Sequence, residues 1–241
     1  MAFDVEELER QCLLIGNTRW HWAHFNADRW QYFHTAPNVL KLQSLEKPLS
    51  AWAAVGSVPL EVDLDPLLRL ELKQIPLSGL PPWLGIDRAL AALAAFRRSR
   101  AQGLGGSGLL LVDVGTVLSL TRITKDGEFA GGQLAAGLRL QLIAMANAAN
   151  ALSDPGISPI GHDSFPFKTE EAMRKGSLQS ILGLIVEAHH QCQLPLWLCG
   201  GDAPYVLKGL ENKGISAFHY PNLALEGMVE VQARFRLGKD H

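Results

Sequence analysis

The sequence predicts an α/β protein made of one unit used twice, each copy a mixed sheet flanked by helices. Three observations predict it. Leu13-Leu14-Ile15-Gly16-Asn17-Thr18 and Val112-Asp113-Val114-Gly115-Thr116-Val117 each run an apolar strand into a turn of glycine and small polar residues. The elements around both copies follow the same order of three strands, helix, strand, helix. Between them, Arg97–Gly108 joins charge to Gly-Leu-Gly-Gly-Ser-Gly, the composition of a flexible boundary, which divides the chain into domains 1–104 and 105–241.

In the first half, strands are expected over Cys12–Ile15, Trp20–Phe25 and Trp30–Phe33, broken by Gly16-Asn17 and Asn26-Ala27-Asp28. A helix is expected over Leu40–Lys47, then a strand Trp52–Val58 that Pro59 ends, because proline donates nothing to a ladder. Pro66–Leu72 reads as a short helical piece, and Ala89–Arg97, rich in Ala and Leu, as a helix. In the second half, Leu109–Asp113, Leu118–Thr124 and Glu128–Leu134 are strands, the last interrupted by Gly131-Gly132. Helices follow over Leu138–Leu152 and Thr169–Cys192, then a strand Leu194–Cys199, a helix Ala203–Leu210, a strand Ile215–His219 and a helix Leu223–Arg234.

A hydrophobic fraction of 47% with 19% charged residues is that of a globular chain with a sizeable core. The net charge of −2 leaves no basic footprint, so neither nucleic acid nor an acidic membrane is an expected partner. No apolar run reaches the about 18 residues of a membrane helix. Met1–Arg10 is acidic rather than a basic-then-apolar leader, and the three cysteines lack metal spacing; a cytoplasmic location is expected.

Each glycine turn aims backbone N–H groups and short polar side chains at one point, a cradle for phosphate oxygens. A hairpin turn needs no such role, and either motif alone divides evenly between the two readings; the recurrence favours phosphate. Asp113 ends an apolar strand, where a carboxylate must be paired, bind a cation or face open space. Gly85-Ile86-Asp87-Arg88 leads into a helix. On spacing alone Asp87 is its cap, and the helix N-terminus is expected to lower its pKa. In a functional role it accepts a proton from an alcohol. Thr169 is expected to cap its helix, and Gly200-Gly201 offers bare backbone. None of the eight histidines has a carboxylate or Cys at ligand spacing, so they read as structural. Trp20 and Trp22 share a strand face and are expected in the core.

Taken together these turns resemble the type III pantothenate kinases, a branch of the superfamily of acetate and sugar kinases, heat-shock chaperones and actin. The resemblance runs from about Leu13 to Val229, in order. Leu14-Ile15-Gly16-Asn17-Thr18 resembles the Asp-x-Gly-Asn-Thr turn, with Leu14 in place of the carboxylate. Gly85-Ile86-Asp87-Arg88 matches Gly-x-Asp-Arg, and Asp113-Val114-Gly115-Thr116 matches Asp-x-Gly-Thr. Gly131-Gly132 with Gly137-Leu138-Arg139, Lys168-Thr169-Glu170-Glu171-Ala172 with Gly176, Gly200-Gly201 and Leu225-Glu226-Gly227-Met228 follow in family order.

The resemblance implies duplicated actin-like (ribonuclease H-like) domains with an interdomain cleft. It implies ATP-dependent phosphorylation of pantothenate to 4'-phosphopantothenate, the first step towards coenzyme A. Asp87 would take the hydroxyl proton, and Gly85, Ile86, Asp87, Arg88 and Thr169 would hold pantothenate. Leu14, Ile15, Gly16, Asn17, Thr18, Arg19, Trp20 and His21, with Thr116, would bind ATP with Mg²⁺. Asp113 would bind a monovalent cation, K⁺ or NH₄⁺, and the assembly would be a homodimer. Leu14 also motivates a second reading, a weakened or inactive member that binds nucleotide or pantothenate as a regulatory protein. The aromatic residue that members often place before the Gly-x-Asp-Arg turn is absent, since Ser78 to Trp83 holds Trp83 but no Tyr.

Overall fold

A computed structural model describes residues 9–26, 28–45, 48–157 and 160–237. The expected reading of Met1–Arg10 therefore lies mostly outside the described residues, as do Ala27 of the expected turn and Lys47 of the expected helix.

Two compact units emerge. The first runs to Arg97 and resumes at Asn222, and the second is Arg98–Pro221. This corrects the single break expected at 104/105. The C-terminal helix packs on the first two strands of the first unit, so the chain returns to the domain it started from.

The first unit holds β1 (Glu9–Ile15), β2 (Trp20–Asn26), β3 (Arg29–Thr35), α1 (Val39–Gln43), β4 (Ala51–Ala54) and α2 (Ile86–Ala101), the last of which crosses the unit boundary. Its sheet order is β3-β2-β1-β4, with β1 antiparallel to β2 and parallel to β4. Alternation along β1 and β2 sends Leu13, Ile15, Trp20 and Trp22 to one face, where they pack with Leu42 of α1 and Trp52 of β4. Trp20 and Trp22 are core, as expected.

β4 is shorter than the expected Trp52–Val58. It stops at Ala54 because the next two N–H groups, of Val55 and Gly56, both turn onto the Ile15 carbonyl at 2.9 and 3.2 Å. Pro59 plays no part in ending it. Expected helix 40–47 is only α1, begun by Asn38, whose Oδ1 accepts from the Lys41 N–H at 2.9 Å.

The second unit holds β5 (Leu109–Val114), β6 (Val117–Ile123), β7 (Phe129–Ala136), α3 (Leu138–Ala148), α4 (Thr169–Cys192), β8 (Leu196–Cys199), α5 (Ala203–Glu211) and β9 (Ala217–His219). The sheet order is β7-β6-β5-β8-β9. Pro195 shortens β8 from the expected start at Leu194; its carbonyl still accepts from Leu110 at 3.0 Å, but it has no N–H to give. Opposite Thr121–Ile123 the ladder slips beside Gly131 (φ 93°), so this glycine forms a bulge. The remaining helix, α6 (Leu223–Leu237), belongs to the first unit.

The repetition is imperfect in one informative way. The fifth strand β9 has its counterpart in the first unit as a single parallel bridge, Trp52 to Arg69, where Leu70 N–H donates to the Trp52 carbonyl at 2.8 Å.

Candidate active site

The first hairpin turn is closed by Gly16 N–H donating to the Arg19 carbonyl at 3.0 Å. Asn17, Thr18 and Arg19 are exposed at its tip, whereas Leu14, Ile15 and Trp20 are buried and offer it only backbone. The turn rests on Gly56: a Cβ there would lie 2.5 Å from the Gly16 carbonyl oxygen and 3.1 Å from the Asn17 nitrogen. Only glycine fits that approach.

His21 is half-buried and sits against this turn; a Cβ on Gly16 would lie 3.2 Å from its Nε2. Its Nδ1 is 2.8 Å from Nδ1 of His34, whose Nε2 is 3.2 Å from Oδ1 of Asn222. Burial, the neighbouring His34 and the Arg19 charge push the His21 pKa down to about 4, so the ring is neutral. The spacing of His21 and His34 in the sequence does not announce that the two rings meet.

The second hairpin is held the same way. Gly137 N–H donates to the Thr116 carbonyl at 3.0 Å, and a Cβ on Gly137 would collide with the Gly115 carbonyl. A Cβ on Gly200 (φ 92°) would lie 2.5 Å from both Asp113 Oδ1 and the Val114 carbonyl oxygen. Asp113 is half-buried against this glycine corner, and Thr116 is exposed at the turn. Gly56 and Gly200 do the same job after the parallel strands β4 and β8. Sequence reasoning passed over Gly56 because no second glycine marks it, though its place after the fourth strand was the available signal.

Asp87 lies in the first turn of α2, which starts at Ile86. It is not the cap: Ala89 N–H already donates to the Gly85 carbonyl at 3.2 Å. Its Oδ1 accepts from the Arg88 N–H at 2.8 Å, and a Cβ on Gly85 would lie 2.5 Å from the same oxygen. Burial raises its pKa, outweighing the N–H groups and the Arg88 charge that lower it. The expected depression by the helix N-terminus is therefore reversed, and the carboxylate is more basic than an ordinary one.

Val55 ties this turn to the first hairpin. Its N–H donates to Ile15, and its Cγ1 is 3.6 Å from a Cβ position on Gly85. Beside Val55 and the Gly85 turn lies an open cavity of about 790 Å³ whose walls include Ala54, Val55, Gly85 and Ile86, with Arg69, Lys73 and Glu71 as its charged residues. Arg69 is stacked over Trp52 at 5.2 Å, and Lys73 pairs with Glu71 at 2.7 Å. These basic residues carried no motif and were not singled out from sequence.

Thr169 is the first residue of α4 and exposed; Lys168 occupies the cap position without a side-chain cap bond, so the expected Thr169 cap is corrected. The start of α4 is charged instead by Glu170 and Glu171, which suit its dipole.

The fold is shared with a Baf family protein from Campylobacter jejuni (TM-score 0.62, 17% identity, 93% of this chain and 98% of that one). It is also that of a glucokinase from Balamuthia mandrillaris (TM-score 0.53, 13% identity, 93% of each chain) and of MreB 5 of Spiroplasma citri (TM-score 0.52, 10% identity, 96% and 98%). The α/β architecture with two glycine-cornered hairpins is thus the actin-like fold of sugar kinases. Residues 79–191 match the family model described as type III pantothenate kinase. Relatives of that name include those of Synechococcus elongatus, 31% identical over 224 residues (83% of this chain, 87% of the relative), and Thermosynechococcus vestitus, 34% identical over 203 residues (80% and 78%). The chain belongs to the type III pantothenate kinase family.

Proposed function

We propose that this chain phosphorylates the primary alcohol of pantothenate with ATP, opening coenzyme A synthesis, and that Asp87 is the proton acceptor. The observation that carries it is Asp87 itself: a carboxylate with a raised pKa at a helix start whose residues Gly85 and Ile86 line a cavity of about 790 Å³. That volume is in the range of small-molecule sites. Gly85 and Ile86 line one wall of that cavity, and we assign the alcohol end to this turn, next to Asp87 and Arg88. Arg69 suits the carboxylate end of the same molecule, since Lys73 is paired with Glu71 on the same wall.

In the first unit, the Gly16 turn presents N–H and hydroxyl groups of Asn17, Thr18 and Arg19 to the phosphates of ATP; in the second unit, Thr116 is the residue we assign to ATP. Asp87 holds the acceptor hydroxyl and takes its proton as the new P–O bond forms and ADP departs. A loose phosphoryl transition state asks mainly for such positioning. Mg²⁺, when bound, neutralises phosphate charge. Asp113 is the residue to hold K⁺ or NH₄⁺; the carboxylate lies where a Cβ on Gly200 would intrude, so the glycine keeps that corner open. Thr169 contacts substrate from the partner in a homodimer, and exposed Leu134, Phe165 and Phe167 of the second unit support a covered apolar face. Free Cys12, Cys192 and Cys199 agree with work in the cytoplasm, and among the described residues no helix is long and apolar enough to cross a membrane.

The test is ADP release with and without pantothenate, in Mg²⁺ and a K⁺ or NH₄⁺ salt. We expect pantothenate-dependent release, reduced about 10²–10⁴-fold by Asp87→Asn. Release indifferent to pantothenate, or to Asp87→Asn, overturns the assignment.

A further inference from the structure

Position 14 lacks a carboxylate, and the ladder shows what stands beside it. His21 is the cross-strand partner of Leu14, and His34 is the partner of His21, so the three form one row across the sheet. The rings of His21 and His34 meet edge to face with centroids 4.9 Å apart.

The hydrogen bonds along this row fix where the protons sit. An amide oxygen only accepts, so the 3.2 Å contact to Asn222 Oδ1 carries the Nε2 proton of His34. A neutral His34 then has a bare Nδ1, and the proton in the 2.8 Å contact between the rings belongs to Nδ1 of His21. His21 is left with a lone pair on Nε2, the atom against Gly16 and the phosphate turn. An imidazole with one nitrogen donating to a fixed acceptor and the other bare is how a protein prepares a histidine for a metal. Among the described residues no three His, Cys, Asp or Glu side chains gather to hold an ion. A cation at this turn would therefore bring most of its ligands with it, as one carried by nucleotide phosphates does.

We propose that His21 Nε2 is the protein's ligand for the divalent cation that arrives with ATP at the first hairpin. His34 and Asn222 are positioning residues that hold its tautomer. The proposal rests on the nucleotide reading of the hairpin and adds a preference: a nitrogen ligand favours Mn²⁺ and Co²⁺ relative to Mg²⁺, which prefers oxygen alone.

The experiment uses the full chain with Mn²⁺ and a non-hydrolysable ATP analogue, read by pulsed electron paramagnetic resonance for ¹⁴N coupled to the manganese. We expect imidazole nitrogen coupling in the unsubstituted protein. His21→Gln should abolish it and weaken Mn²⁺ in the ternary complex about 10–100-fold, with the analogue still bound. Asn222→Ala should keep the coupling but weaken the ion by less. His24→Gln, whose ring lies on the other sheet face 4.6 Å from Phe33, should change neither and controls for folding. Bound Mn²⁺·analogue without nitrogen coupling, or coupling that survives His21→Gln, overturns the proposal while leaving the kinase reading intact. Failure of the analogue to bind at all overturns both.

Discussion

Two titratable groups of the first unit are displaced in opposite senses, and both displacements have measurable consequences. Burial holds the pKa of Asp87 above its usual value. Its stabilising share is thus present in acid and lost as pH rises through the raised value; at neutral pH the ionised carboxylate is a net cost. Asp87→Asn should therefore melt at the same temperature as the parent or higher at pH 7, even as turnover collapses. The parent's kcat should fall on acidification at a pH above the ordinary aspartate range. A markedly lower melting temperature for the variant would show that the carboxylate is a structural anchor. His21 behaves in reverse. With its folded pKa pushed down to about 4, it gives stability above its unfolded value near 6.5, lost as pH falls from there towards about 4. Thermal melts across that interval should show the parent losing stability and His21→Gln losing visibly less; parallel curves would refute the assignment.

At the scale of elements, the glycine corners are the parts that admit least change. A Cβ at position 56 would meet three backbone atoms of Gly16 and Asn17, the nearest at 2.5 Å, with no flexible side chain to yield. Gly56→Ala should cost about 1–3 kcal/mol in denaturant unfolding, the usual price of overpacking, and weaken nucleotide binding. Gly106→Ala, with nothing within 4 Å of the added carbon, should do neither and serves as the control. Equal effects at both positions would disprove the close-approach argument. The strands and long helices are legible in the sequence because their apolar patterns are strong: α4 has the bounds its pattern predicts, Thr169–Cys192. Illegible features depended on partners distant in sequence. The end of β4 is set by the Ile15 carbonyl, and the pKa of Asp87 by burial that no local motif encodes. His34 and Asn222 are 188 positions apart, so nothing in either neighbourhood announced their hydrogen bond.

The whole molecule is organised around a chain that leaves its first unit at Arg97 and returns at Asn222. The glycine-rich stretch after α2 looked like the one boundary because it is local and compositional. The second crossing, at Pro221–Asn222, has no such flag, and only packing reveals it. Within the first unit, α6 lies on β1 and β2, Gly227 sets its backbone against the Leu90 carbonyl of α2, and Glu230 pairs with Arg97 at 3.2 Å. Leu223, Leu225, Met228 and Val231 are all buried. At about 25 cal/mol per Å² of apolar surface, four such side chains amount to several kcal/mol, a large share of what holds any domain of this size. A fragment covering 1–104 should therefore show no cooperative thermal transition by circular dichroism, and adding a peptide of residues 222–241 should restore one. The fragment 98–221, which keeps its five strands and the core between β5, α4 and α5, should unfold cooperatively alone. A cooperative 1–104 fragment without the peptide would mean that α6 adorns the first unit rather than completing it.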